Sequence, residues 1–281
     1  MARFALNMII LAIDQSSSFS SIALLKDDVV IAGKEWDEKG MRNQYVFTAL
    51  PELLSEDSIS LADIDMFAVG LGPGAFSGLR ISLSALRGIA LPTQKPVFGV
   101  SSAEAIARSI ALDNGCTEIA VVGDARRSLF WLARFDATSD SGSQSIPAPR
   151  GGKSRNLILE GCAPSQPALT EQRPPTTSPQ ECVISYRNAL TLAKPDELAS
   201  LVKADATVVS PDWDRIGQML GESLPATAKL IKEKRVPSAK VVGQLAYRKS
   251  MSGETSLPLN PIYLHPPVFV PPRFPADNTS Q

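Results

Sequence analysis

Residues 65–91 read DMFAVGLGPGAFSGLRISLSALRGIAL, and the rest of the chain can be organised around them. The run 65–71 is short, apolar and bounded, as a buried strand would be; a helical pattern over 79–91 follows until Pro92 stops it. Between the two, Gly72, Gly74 and Gly78 make a glycine-rich loop. Such a junction can present backbone N–H groups and a positive helix end to an anion. Equally, it can let the chain turn tightly and the next helix pack closely. The loop is not a Walker motif, because Leu79 stands where that motif needs Lys, and it is not G-x-G-x-x-G, because Ser77 takes the last glycine's place.

Working outward, 8–14 (MIILAID) is a further apolar strand ending at an acid, followed by the polar turn Ser16, Ser17 and Ser18. The segments 19–25 and 29–36 complete a three-stranded meander. The period then changes: Tyr45, Val46, Ala49, Leu50, Leu53 and Leu54 share one face of a helix over 42–55, in which Pro51 predicts a kink or break. Downstream of the loop lie a strand at 96–100 and a helix at 103–112, with Ser101 or Ser102 as its cap and Glu104 near the capping-box position. Three strands, helix, strand, helix, strand, helix is an α/β lobe.

At 119–123, followed by Asp124, Ala125, Arg126 and Arg127 and then a strand at 129–135, the opening meander restarts, which points to an internal duplication. Of the 22 prolines, 18 follow residue 140, so 138–155 and 164–179 read as exposed inserts. Strands are expected at 157–160, 183–186 and 207–210, helices at 196–202, 214–220 and 238–250, and disorder over the proline-rich 266–281.

Composition excludes several classes. A chain of 281 residues buries roughly 75% of its unfolded surface and needs no staple. Its formal net charge of -1 provides no global field for tight, unaided nucleic-acid binding, although a local basic patch is compatible with it. Cys116, Cys162 and Cys182 are widely spaced, so neither a disulfide framework nor a cysteine zinc site is expected; they read as reduced cytosolic thiols. With a single His, any Ser-His-Asp triad or His metal site would have to use His265, which precedes Pro266 and Pro267 and reads as structural. The apolar N-terminal stretch is broken by Asn7 and ended by Asp14 without a cleavage pattern, and no segment reaches the ~18 apolar residues of a membrane span. A cytoplasmic protein is expected, with Met8 an alternative start to Met1.

Asp14, beside Ser16, could hold a hydrated magnesium ion and a phosphate, and Asp124 could do the same in the second half; both are equally readable as turn residues. Arg80, Arg87, Arg126 and Arg127 could meet phosphates or simply be solvated, and Trp36, Trp131 and Trp213 read as packing residues. The helix 79–91 is apolar around most of its circumference, with Ser82, Ser84, Ala85 and Gly88 interspersed. Such a helix is either wholly buried or meets a partner.

The segments MIILAID, GLGPGAFSGLRISLSALRGIA, PVFGVSS and VVGDARRSLFWLARF, in register over 8–135, resemble the TsaB (YeaZ) family, and PIYL at 261–264 does so more loosely. That family comprises the bacterial dimerization subunits of the tRNA threonylcarbamoyladenosine machinery, actin-like (ASKHA) proteins once labelled glycoprotease homologues. The resemblance implies an α/β fold of two actin-like, ribonuclease H-like lobes, each a mixed sheet flanked by helices. The lobes would span 8–112 and 113–265, with 266–281 a tail. It implies a non-catalytic scaffold that pairs with TsaD, joined by TsaE, with tRNA reached only through the complex; a homodimer in isolation is an open alternative. ATP and magnesium would serve the complex and no cofactor this subunit alone. The partner surface would comprise Tyr45, Val46, Ala49, Leu53, Leu79, Leu83, Leu86 and Ala90, and a degenerate nucleotide site Asp14, Ser16, Gly72, Gly74 and Asp124. Arg42 and Asn43 depart from the His that the family often carries at the start of its first interface helix. The alternative readings are an ATPase or phosphotransferase of the same fold and, following the old label, a peptidase.

Overall fold

In the structure, a computed structural model, residues 7–40, 44–115, 118–139 and 182–265 are described. The expected strand at 157–160, most of the inserts, the tail 266–281, Arg42, Asn43, Cys116 and Cys162 lie outside these residues.

Strands β1 (Ile9–Asp14), β2 (Phe19–Lys26) and β3 (Val29–Asp37) form the expected meander, followed by α1 (Val46–Glu56), β4 (Met66–Gly70), α2 (Phe76–Ala90), β5 (Val97–Val100) and α3 (Ser102–Asn114). The second half repeats this order in β6 (Glu118–Arg126), β7 (Leu129–Ser139), β8 (Cys182–Ala193), α4 (Pro195–Leu201), β9 (Thr207–Ser210), α5 (Trp213–Ser223), β10 (Lys229–Lys234) and α6 (Ala239–Met251). The two sheets run β3-β2-β1-β4-β5 and β8-β7-β6-β9-β10, the same order in both, with antiparallel meanders continued by parallel strands. The duplication read from the sequence is therefore a duplication of topology.

The continuous apolar runs follow from burial on both faces. From β1, Leu11 and Ile13 point into a core shared with α1 and α2, while Ile10 and Ala12 point into one shared with α6. In the second sheet Ile119 and Val121 meet α3, and Ala120 and Val122 meet α4 and α5. The layers are thus α1 and α2, sheet, α6 beside α3, sheet, α4 and α5. Cutting the chain at 112/113 consequently does not separate the lobes in space. α3 follows the first sheet but packs on the second, and α6 follows the second but packs on the first.

Several elements differ from expectation: β8 runs over Cys182–Ala193 where a strand is expected only over 183–186, and α1 begins at Val46 rather than at 42. α2 begins at Phe76, three residues before the expected start, because the end of the glycine loop is already helical. α1 continues through Pro51, whose position on the exposed side leaves the unbonded carbonyl one turn back open to water. β10, KLIKEK, was not foreseen: with Leu230 and Ile231 its only apolar residues, it lacks a strand pattern and is formed by parallel pairing to β9 at the sheet edge.

The segment after α6 returns as a strap across both lobes. Leu257 N–H donates to Gly99 and Ile262 N–H to Leu71 along the edge of the first sheet, Leu264 packs in the core beneath the second, and His265 Nε2 donates to the Ala125 carbonyl at 2.6 Å. Trp36 and Trp131 are buried, as expected, and Trp213 packs against the outer core of the second lobe. Among the described residues no helix is long and apolar enough to cross a membrane.

Candidate functional site

Asp14 ends the central strand β1, and the chain turns sharply after it because the side chain caps the turn: Oδ1 accepts from Ser16 N–H at 2.8 Å and from Ser16 Oγ at 2.6 Å. The other oxygen, Oδ2, accepts from Ser102 Oγ at 2.6 Å. Ser102 in turn accepts from Gly72 N–H at 3.0 Å, so Asp14, Ser102 and the glycine loop form one buried network. The Asp14 side chain is 0% exposed. Burial pushes its carboxyl above the usual carboxylate range, and the three hydrogen bonds oppose that only in part.

The glycine loop is folded down onto the turn. Ala75 N–H donates to the Ser16 carbonyl at 2.7 Å, and a Cβ on Gly74 would lie 1.9 Å from that same oxygen. A Cβ on Gly78 would lie 2.0 Å from the Gln15 carbonyl. Of the two readings of the loop, close packing accounts for its glycines, since the N–H groups of Gly72 and Ala75 are directed to the protein's own oxygens.

Asp124 lies across a cleft of about 820 Å³ between the lobes. Its carboxylate accepts from Arg126 N–H at 2.7 Å and pairs with Arg215 at 3.0 Å, while Arg215 also pairs with Asp212. The cleft floor is largely apolar, with Leu79, Ile106, Trp131, Ile262 and Leu264, and Ser16, Glu38, Phe76, Lys234 and Tyr263 stand along its walls. Lys234 of the second lobe reaches within 5.3 Å of the Phe19 ring of the first.

These positions do not fit a magnesium nucleotide. Asp14 is sealed by its own chain and does not line the cleft, the amides of Gly72 and Ala75 point inward, and Arg215 already holds Asp124. Ser16, Gly74 and Asp124 do border the cleft, whereas Asp14 and Gly72 do not. Among the described residues no three His, Cys, Asp or Glu side chains are grouped to hold a metal. Sequence reading missed Ser102 as the second partner of Asp14; its only sequence signal was as a helix cap, a place that Ser101 occupies.

The expected partner surface requires correction. Val46, Ala49, Leu53, Leu83, Leu86 and Ala90 are all buried in the first lobe's own core, Tyr45 is packed against it, and Leu79 is buried beside the cleft. The periodicity that singled them out marks the side of each helix that faces the sheet. The outward faces carry other residues: Phe47, Thr48 and Glu52 on α1, and Arg80, Ser84, Arg87 and Gly88 on α2, with Leu91 just beyond it. Phe47 is 57% and Leu91 71% exposed.

Comparison with known proteins agrees with this architecture. Residues 43–148 match the family model described as TsaD: tRNA N6-adenosine threonylcarbamoyltransferase. The tRNA threonylcarbamoyladenosine biosynthesis protein TsaB of Escherichia coli is 34% identical over 128 residues, which are 46% of this chain and 55% of that protein. The Bacillus subtilis protein of the same name is 30% identical over 140 residues, 50% of this chain and 60% of that one. The chain spans about half the length of the curated relatives it matches. YeaZ from Pseudomonas aeruginosa superposes with a TM-score of 0.65 at 20% identity, covering 92% of this chain and 100% of that one. A second structure, titled as an uncharacterized protein with similarity to peptidase YEAZ from the same organism, gives a TM-score of 0.66 at 20% identity, with coverage of 92% and 100%.

Two duplicated mixed sheets, with exchanged helices between them and a cleft beside the first strand, define an actin-like two-lobed protein. Within that class the chain is similar in sequence to TsaB proteins and, over 43–148, to the TsaD family model, and it shares its fold with YeaZ of Pseudomonas aeruginosa.

Proposed function

We propose that this chain is a non-catalytic subunit of the machinery that makes threonylcarbamoyladenosine in tRNA. In this reading it pairs with a TsaD-type transferase, with TsaE joining the pair, and it uses the same surface for a homodimer when alone. ATP and magnesium serve the complex, and this subunit needs no cofactor of its own. The observation that carries the reading is the outward side of α1 and α2, which leaves Phe47 on α1, and Gly88 with Leu91 at the end of α2, exposed to solvent. A Cβ built on Gly88 meets nothing within 4 Å, so a partner helix can approach the α2 backbone there. The similarity to TsaB proteins over about half of this chain supports the same assignment.

Activation follows from binding. A partner can shift the transferase only by contacting its active conformation better than its inactive one, so the rigid first lobe acts as a template for that conformation. The sealed Asp14 and the Arg215-bound Asp124 agree with a subunit that does no phosphoryl chemistry itself.

The test uses outward-facing positions, because acidic substitutions at Leu83 or Leu86 would unfold the lobe rather than probe an interface. Phe47→Asp and Gly88→Arg are expected to keep the chain folded while abolishing copurification with the transferase and the dependence of tRNA modification on this subunit. Copurification of both variants at wild-type yield would overturn the assignment.

A further inference from the structure

At the mouth of the cleft, Phe76 from the first turn of α2 and Tyr263 from the strap stand with ring centroids 5.3 Å apart and planes tilted by 44°. Both are half-exposed, Phe76 at 48% and Tyr263 at 52%. The Arg80 guanidinium lies 3.8 Å from the centre of the Phe76 ring, and its Nε donates to Tyr263 Oη at 3.4 Å. Among the described residues no acid pairs with Arg80 or with Arg87, and α2 contains neither Asp nor Glu. At about 100° per residue, Phe76, Arg80 and Arg87 fall within roughly 40° of one another on one margin of α2. Ile81, Ala85 and Gly88 fall on the opposite margin of its outward face, so a helix docked there leaves the basic margin open.

Arg80 thus has a ring face and a hydroxyl as its partners but no acid, and both rings remain half in water. A half-exposed ring can stack on a base, and an arginine over a ring keeps its remaining N–H groups for a phosphate. We infer that Phe76, Tyr263 and Arg80, with Arg87 further along α2, form a stacking platform for an unpaired stretch of RNA. Duplex RNA would not satisfy it, because paired bases keep their faces stacked on one another. The net charge of -1 means that the contact is weak in the isolated chain and gains strength when a partner supplies further cations. The inference deepens the proposed function in naming what the subunit touches, and it rests on that reading only for the source of the RNA.

The experiment is a fluorescence-anisotropy titration, at low salt, of a labelled RNA hairpin with an unpaired loop and of a blunt duplex of equal length, using the full chain alone. Because no transferase is present, failure of the pairing reading leaves the result intact. The hairpin is expected to bind more tightly than the duplex. Phe76→Ala combined with Tyr263→Ala should weaken hairpin binding about tenfold or more, while Tyr263→Phe, which keeps the ring, should retain it. Arg80→Gln should reduce the salt dependence of binding, and it serves as the test on its own if the double variant does not fold. Equal binding of hairpin and duplex, wild-type affinity in the double variant, or no binding of either RNA overturns the proposal.

Discussion

Replacing Asp14 by Asn and by Ala separates a carboxylate that locks a turn from one that does chemistry. In the folded protein its two oxygens accept three hydrogen bonds, from Ser16 N–H at 2.8 Å and from the Ser16 and Ser102 hydroxyls at 2.6 Å each, with no exposure to water. Alanine removes both acceptors, and with them all three bonds, and leaves a buried N–H unpaired; after allowance for hydroxyls that can turn elsewhere and for the desolvation relieved, the loss is about 2–4 kcal/mol. Asparagine keeps an acceptor for Ser16 N–H, and the Ser102 hydroxyl can rotate to accept from its amide, so the cost falls to about 1 kcal/mol or less.

The two variants also differ in pH dependence. Burial raises the folded carboxyl above its ordinary value of 3.8, so the folded state holds its proton more tightly than the unfolded chain does. The associated stability is fully present below the ordinary value and is lost as pH rises through the raised one. Asparagine has no such proton. Its deficit relative to wild type should therefore be largest in acid and shrink as pH rises towards neutrality. Urea unfolding of the three proteins across that range, followed by far-UV circular dichroism, measures this directly. A deficit of Asp14→Asn that is independent of pH, or an Asp14→Ala variant as stable as wild type, would refute the account of Asp14 as a buried turn lock.

Two further perturbations follow from the packing. Gly78→Ala places a Cβ 2.0 Å from the Gln15 carbonyl and should cost at least about 2 kcal/mol or prevent folding, whereas Gly88→Ala, with open space around it, should raise the stability of the isolated chain by about 0.5–1 kcal/mol; thermal unfolding of both checks the pair. Glu104 on α3 is nearly buried and pairs with Lys249 on α6 at 3.0 Å, so Lys249→Met alone should cost about 3 kcal/mol, and much of that should return in the double variant with Glu104→Gln, as a double-mutant cycle would show.

Much of the fold was legible because its signals are local. The MIILAID and DMFAVGL runs, the polar turn after Asp14 and the restart of the same pattern at 119–123 are properties of neighbouring residues, and they suffice for two α/β lobes of like design. Even β10 escaped this reading for a local reason: KLIKEK has no apolar alternation, and only the edge of β9 makes it a strand.

What tertiary structure alone decided was the fate of faces and partners. Helical periodicity names an apolar side but not what covers it, so Leu83 and Leu86 could be read as an interface until the sheet beneath them was seen. Asp14 could be an open acid until Ser102, 88 residues away, closed over it. The Phe76, Arg80 and Tyr263 cluster joins residues 183 positions apart, brought together by a strap whose own sequence carries no periodic signal. Apart from β10, the sequence by itself determined which segments become strands and helices, because backbone propensity and apolar spacing act over a few residues. Which groups remain available to solvent, and so to a partner or an RNA, depends on long-range contacts that no local pattern encodes.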